Sequence, residues 1–356
     1  MIKSNSPYYI ITPFVSVNTG LTCESYTLHV TVWDGLKATP PSETTYEITK
    51  NNPTGSTGDD KINIARLISD FIEFAPQSAS STGVIDGNNQ QWVRTFVTYI
   101  TTDPLDDTVS QYNETLLFSL GYSYGYEGGN ITTITNDILL TPQDYKVDRN
   151  GVFVQPVLID ESSTSAYSVI SYPNNEINVS ATIPSSSYSN ELVSYIWVQV
   201  DETTTDTYIE VIYNGQTTTL LIQDECKYTP IDIFFQNKEG AEQVITFFKE
   251  RKDSITITDE EFESDRGQPS DGNHQFVRFN VQAQGKLSLN TGFLGEEMNL
   301  VMLELLLSER IWSYDGSDFI PLKIKTKNLE YKTRQKAKLI NYSIDFEPSY
   351  NEINNI

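Results

Sequence analysis

The sequence predicts a mainly β protein, with antiparallel β-sandwich domains first and then a further β module flanked by one α-helix. Three observations predict it. Short runs of period-two alternation, rich in Val, Ile, Thr and aromatic residues, recur along the chain. Two segments alone break that pattern with the i, i+3, i+4, i+7 spacing of a helix face. Aromatic residues reach 12% while charged residues are held to 20%, the composition of a folded chain rather than a disordered acidic one.

The strands follow in order. Tyr26 to Trp33 places Leu28, Val30 and Val32 on one face and His29 on the other, and an Asp34-Gly35 turn follows. Trp92 to Ile100, Leu116 to Tyr122 and Tyr195 to Val200 alternate in the same way. Tyr208 to Tyr213 runs through Asn214-Gly215 into Thr217 to Gln223, and Asn-Gly between two such runs is the strongest short hairpin signal. Pro230 to Phe235, a turn at Asn237 to Gly240, and Gln243 to Phe248 make a second hairpin. Strands at this spacing suggest sandwiches like those of immunoglobulin and fibronectin type III domains.

The first helix is expected over Lys61 to Phe74, where Ile64, Leu67, Ile68 and Phe71 share a face. Asp59 or Asp60 can cap it, and Phe74-Ala75-Pro76 stops it. The second is expected over 296–312. Met298, Val301, Met302 and Leu305 lie on one side, Leu303, Leu306 and Leu307 widen it, and Glu296 and Glu297 suit the positive end of the dipole. A helix apolar on more than one side packs between two surfaces, here its own sheet and a neighbouring subunit.

At 356 residues the chain has room for two or three domains. Its net charge of −24 excludes a protein that grips DNA or an anionic membrane by general electrostatics, though not one whose wall DNA slides past. Residues 226–356 hold 16 basic and 21 acidic residues, a net of −5; residues 1–225 hold 8 and 27, a net of −19. That shift places a boundary near 225. The expected domains are 1–158, a sandwich with one helix; 159–225, a smaller β domain; and 226–356. Gln77 to Asn89 and Ile159 to Ala166 read as linkers, and Pro184 to Asn190 as an exposed loop.

Chemistry-bearing motifs are scarce. Cys23 and Cys226 are too few for a disulfide framework or a Cys-only zinc site and read as buried thiols. The two histidines, His29 and His274, sit in no HExxH or other metal-spaced cluster. There is no G-x-S-x-G elbow, Walker A loop or helix-opening G-x-G-x-x-G. The glycine-rich loop 121–129 alternates Tyr122, Tyr124 and Tyr126 and has no Lys, so it suits contact with a protein or glycan better than with phosphate. The run Asp259 to Asp265 reads as a solvated loop, with a cation site as the alternative. Asp315-Gly316-Ser317-Asp318 reads as a turn. No catalytic, cofactor or metal residue is assigned. With no apolar signal region and no apolar run of 18 residues, the expectation is a soluble protein made and used without Sec export.

One charged constellation stands out. Lys323, Lys325 and Lys327 alternate with Leu322 and Ile324, and Lys332, Arg334, Lys336 and Lys338 continue at the same spacing. Two adjacent strands would carry a basic stripe on an acidic protein. It serves either to protect a sheet edge or to contact an acidic surface, the nearest being the −19 part of a neighbouring copy in a head-to-tail ring.

Three blocks of the C-terminal third carry a resemblance: Tyr228 to Gly240, Leu305 to Trp312, and Leu339 to Glu347 with the ending Ile353-Asn354-Asn355-Ile356. With Ser6-Pro7-Tyr8-Tyr9 and Thr45-Tyr46-Glu47-Ile48, the series resembles structural tail proteins of bacteriophages that infect Bacteroidetes, including crAss-like phages. The resemblance implies a tail-tube-like β-sandwich or barrel module over 226–356. It implies a virion protein of the tail hub or an adaptor ring, assembled in the host cytoplasm as a homo-oligomeric ring with other tail proteins. DNA would pass without specific binding, and no cofactor, enzymatic activity or membrane insertion is implied. A receptor- or carbohydrate-binding sandwich protein of a tail is the alternative, and a tail-borne cell-wall or polysaccharide hydrolase a more distant one.

Overall fold

A computed structural model describes residues 2–13, 22, 25–34, 40–52, 59–86, 92–102, 109–123, 137–159, 165–174, 176–183, 193–225, 227–263, 272, 274–328 and 340–350. The chain is mainly β, with several sheets and none closed into a barrel. Strands β1 (Ile2–Lys3), β2 (Tyr9–Pro13), β3 (Ser25–Asp34), β4 (Tyr46–Asn51) and β5 (Asp59–Asn63) come first. A single-turn helix, α1 (Ala65–Ile68), precedes β6 (Gly83–Asp86), β7 (Trp92–Thr102) and β8 (Val109–Ser119). The middle supplies β9 (Asp144–Asp148), β10 (Val152–Leu158), β11 (Ser165–Tyr172), β12 (Glu176–Ile183), β13 (Val193–Gln199), β14 (Tyr208–Tyr213) and β15 (Gln216–Gln223). The last third holds β16 (Ile231–Gln236), β17 (Glu242–Phe247), β18 (Arg251–Glu263), β19 (Phe276–Asn290), α2 (Met298–Leu307), β20 (Ile311–Tyr314), β21 (Phe319–Ile324) and β22 (Ser343–Pro348).

These strands form a sheet β1-β8-β7-β3-β4, a ribbon β2-β5, a three-stranded sheet β10-β13-β6, a sheet β12-β11-β14-β15-β9 and a seven-stranded sheet β17-β16-β20-β21-β22-β19-β18. Alternation explains the first: Leu28 and Val30 are sealed, while His29 on the opposite face is half-buried between Glu47 and Thr98 of the adjacent strands. The Asn-Gly hairpin forms as expected. Asn214 and Gly215 take φ of 47° and 78°, the left-handed pair that suits the twist of β14 and β15. All but the last residue of β10 and of β13 are buried, so these two strands are covered on both faces. Phe153 meets Tyr145 of β9, while Trp197 stacks on Phe234 of β16 at 6.0 Å.

Both helices are shorter than their sequence periodicity. The 61–74 segment gives its first residues to β5, which pairs with β2, leaving α1 and one 3₁₀ turn (Ser69–Phe71). Asp60, an expected cap, instead accepts hydrogen bonds from Tyr26 and Lys50, both 2.6 Å, and Asn63 accepts the Ala65 N–H at 3.2 Å. Helix α2 ends at Leu307 because Ile311 to Tyr314 pair with both β16 and β21. The expected domain boundaries do not divide the core. Strand β6, read as linker, completes a sheet with β13, and β9 pairs in parallel with β15. One buried cluster runs from Trp92 through Trp197 and Phe234 to Phe346, across both 158 and 225. A smaller one joins Leu28 and Val97 to Ile64 and Ile68.

The turn between β16 and β17 ties these parts together. Asn237 Oδ1 accepts the N–H groups of Glu239 and Ala241, at 3.0 and 3.1 Å, and its Nδ2 donates to the Leu139 carbonyl at 2.8 Å. Gln236 donates to the Leu120 carbonyl at 2.8 Å, and the Tyr122 N–H to the Lys238 carbonyl at 2.8 Å. Gly240 has φ of 81°, and a Cβ there would lie 2.6 Å from the Gly121 nitrogen. Three carboxylates reinforce the junction, Glu242 and Glu304 buried and Asp232 half-buried. Glu242 accepts the Gln77 N–H at 3.0 Å, Asp232 that of Val152 at 3.2 Å, and Glu304 the Thr141 hydroxyl at 3.0 Å. Burial pushes the carboxyl of Asp232 up to about 6, that of Glu242 up to about 8, and that of Glu304 upward.

Two consequences are measurable. Gly240→Ala forces a left-handed alanine against backbone and should cost at least ~2 kcal/mol in chemical denaturation; a loss under ~0.5 kcal/mol would show that the junction yields. Raised carboxyls bind protons more tightly in the folded than in the unfolded chain, so stability should fall as pH rises from about 5 to about 8. Thermal melts across that window check it, and Glu242→Gln should flatten the upper part of the slope.

Candidate functional site

Most of the seven-stranded sheet is covered, but its last two strands leave the body. Of β19, only Leu287 to Asn290 also pair with β22; Phe276 to Lys286 have β18 as their sole sheet neighbour among the described residues. From Ile255 to Glu263 the resulting arm is about 30 Å long. All thirteen residues of β18 are exposed. This corrects the expectation of a solvated loop at Asp259 to Asp265: as far as Glu263 the acidic run is strand.

The arm is ordered by its own contacts. One extra residue on β19 at Asn280 to Val281 shifts the register opposite Asp259, and Asn280 takes φ of 51°, a conformation that Asn tolerates. Arg278 pairs with Asp259 and holds that carboxyl below the usual carboxylate range. Phe262 and Phe279 meet edge to face at 5.6 Å. Even so, Ile255 remains 65% exposed, Ile257 57% and Phe276 59%. A two-stranded ribbon is marginal alone, and apolar groups at this exposure along a projecting element mark a contact surface.

At the arm's root is a cleft of about 1160 Å³ between the middle strands and the seven-stranded sheet, lined by Asp148, Arg149, Asp232, Arg251, Lys286 and Tyr314 among others. Burial, then the neighbouring Asp232, push the Asp148 carboxyl up to about 6. Asp232 is committed to the fold, accepting from Thr246 at 2.6 Å as well as from Val152. The cleft thus offers mixed charges and a phenol ring, suited to holding a polar ligand. Among the described residues no three His, Cys, Asp or Glu side chains are grouped to hold a metal ion, and no helix is long and apolar enough to cross a membrane.

The residues expected at subunit contacts land elsewhere. Met298, Val301, Met302 and Leu305 do share one face of α2, but all four are buried in the chain's own core, so they are not open to a neighbour. Lys323 and Lys325 reach Glu347 of β22 at 3.4 and 3.1 Å, so the acidic partner of this row lies within the chain. Strand β21 sits between β20 and β22, which removes the edge-protection reading. Lys327 is exposed; Lys332, Arg334, Lys336 and Lys338 lie outside the described residues. Tyr122 is half-buried and bonded through its N–H to Lys238, an internal contact, while Tyr124 and Tyr126 lie outside the described residues. The arm itself went unread, although Ser254 to Thr258 carry its signal, an alternating β-branched run leading into the acidic stretch.

Neither protein-family models nor curated proteins match this chain.

If α2 is core rather than interface, Leu305→Ala should cost about 3 kcal/mol of stability and leave the oligomeric mass of the folded protein unchanged. Dissociation of an assembly without loss of stability, seen by native mass spectrometry beside a denaturant melt, would return the helix to an interface.

Proposed function

We propose that the chain is a non-enzymatic structural subunit of a bacteriophage virion, part of a tail hub or adaptor ring that surrounds the DNA path. The observation that carries this reading is the β18–β19 arm, an extended element on which Ile255, Ile257 and Phe276 stand more than half exposed. Such an arm reaches a neighbouring subunit while the body keeps its own core. The net charge of −24 suits a wall that does not bind passing phosphate. The resemblance of the C-terminal third to tail proteins supplies the setting, and a tail-tube-like role for the seven-stranded sheet is part of the same proposal. Partners would be further copies of the chain and adjacent tail proteins.

A second reading, a receptor- or carbohydrate-binding tail protein, is favoured by the cleft at the arm's root with its mixed charges and Tyr314. A glycan array probed with the full chain separates the two, since specific binding abolished by Tyr314→Ala would favour this second reading.

The primary test is immunogold electron microscopy of purified virions with antibody to the chain. Label confined to the tail is expected; finished particles free of the chain, by labelling and by mass spectrometry, would overturn the proposal.

A further inference from the structure

We infer that the outer edge of β18 pairs antiparallel with the same edge of a second copy of this chain, joining two arms into a four-stranded ribbon. β18 is the last strand of its sheet: one edge bonds to β19, and the other faces no strand among the described residues. Natural edges of this length are blunted by a central charge, a proline or a bulge. Here Ser254-Ile255-Thr256-Ile257-Thr258 contains none of these, and the register shift belongs to β19. The bare stretch is β-branched at four of its five positions, and its two isoleucines are, with Phe276, the most exposed large apolar residues among the described residues.

Charge selects the occupant and the register. The strand begins with Arg251-Lys252 and ends with Asp259-Glu260-Glu261-Phe262-Glu263. A parallel copy would set like charges side by side. An antiparallel copy with Thr256 opposite its own counterpart sets Arg251 against Glu261, Lys252 against Glu260, and Ile255 against Ile257, each twice by the two-fold. Cross-strand pairs of these kinds are the stabilising ones. Centring on Ile257 instead would bring Asp253 against Glu261 and Lys252 against Phe262. In the favoured register one like-charged meeting remains, Asp253 with Asp259, and Asp259 already has its own cation in Arg278. The bonds that Arg251 and Lys252 make in the single chain, to Asp253 and Glu250, are exposed and compete weakly.

A two-fold contact closes after two copies, so a ring would need a different surface for its closure. The pairing concerns only what the chain does with its own kind. It can fail while the virion reading holds, and the reverse, because one is read from mass in solution and the other from particles.

The test is sedimentation velocity on the full chain and two charge-reversed variants. The unaltered protein should show a concentration-dependent dimer. Arg251→Glu with Lys252→Glu should be monomeric, and so should Glu260→Lys with Glu261→Lys, because each variant sets like charges at all four meetings. An equimolar mixture of the two should regain the dimer, since every meeting then unites opposite charges. All four positions are exposed, and thermal melts should confirm that both variants fold. A wild type that stays monomeric at every concentration, variants that still dimerise, or a mixture that stays monomeric would each overturn the inference.

Discussion

The fold depends on one buried turn. Asn237 to Gly240 closes the β16–β17 hairpin, yet its polar groups reach well beyond it, to the end of β8 and to the Leu139 segment. Lys3 adds an ion pair to Glu239 at 2.9 Å, with side chains 8% and 18% exposed. Each buried donor or acceptor left unmet here would cost about 1–3 kcal/mol. The turn therefore sets the hairpin register and the docking of the first sheet in the same step. Gly121 and Gly240 let two backbones approach to a distance that side chains would forbid. That close approach ties the end of the first sheet to the β16–β17 hairpin.

What could be read from the sequence was local, and what could not be read was relational. The β14–β15 hairpin was legible because Asn-Gly states its own backbone geometry. The buried face of α2 was legible from spacing, but its end was not. Ile311-Trp312 can extend a helix or make a strand, and its partners across the sheet, Phe234 and Phe235 on one side and Pro321 and Leu322 on the other, decide it. Strand β6 is four residues after a serine-rich run, with no signal except its partner β13. The step in charge near 225 reports surface, whereas Trp197 on Phe234 reports a core contact that crosses it.

The candidate site was read in its parts and missed as a whole. The basic row was found, but the partner of Lys323 and Lys325, Glu347, lies on a strand whose adjacency no spacing reveals. The acidic run was found too, and read as solvated. It is exposed, yet it is strand, because β19 gives Glu260, Glu261 and Glu263 regular places in a ladder, with Asp259 at the register shift. Composition alone cannot distinguish an acidic loop from an acidic edge.

A chain of net charge −24 resists meeting its own kind, and the arm has to be weighed against that resistance. At physiological salt, repulsion between exposed charges fades beyond about 8 Å, so charge elsewhere on either body is screened from the shared edge. Contacts across a shared strand edge act at about 5 Å, inside the screening length. Local order of charge therefore outweighs total charge at the arm. Charges placed only to keep an edge apart would occupy its centre, where any register must bring them together. On β18 they occupy the two ends with opposite signs and leave the centre to Ile255, Thr256 and Ile257. That arrangement does not forbid pairing; it specifies the direction and the register in which pairing is allowed.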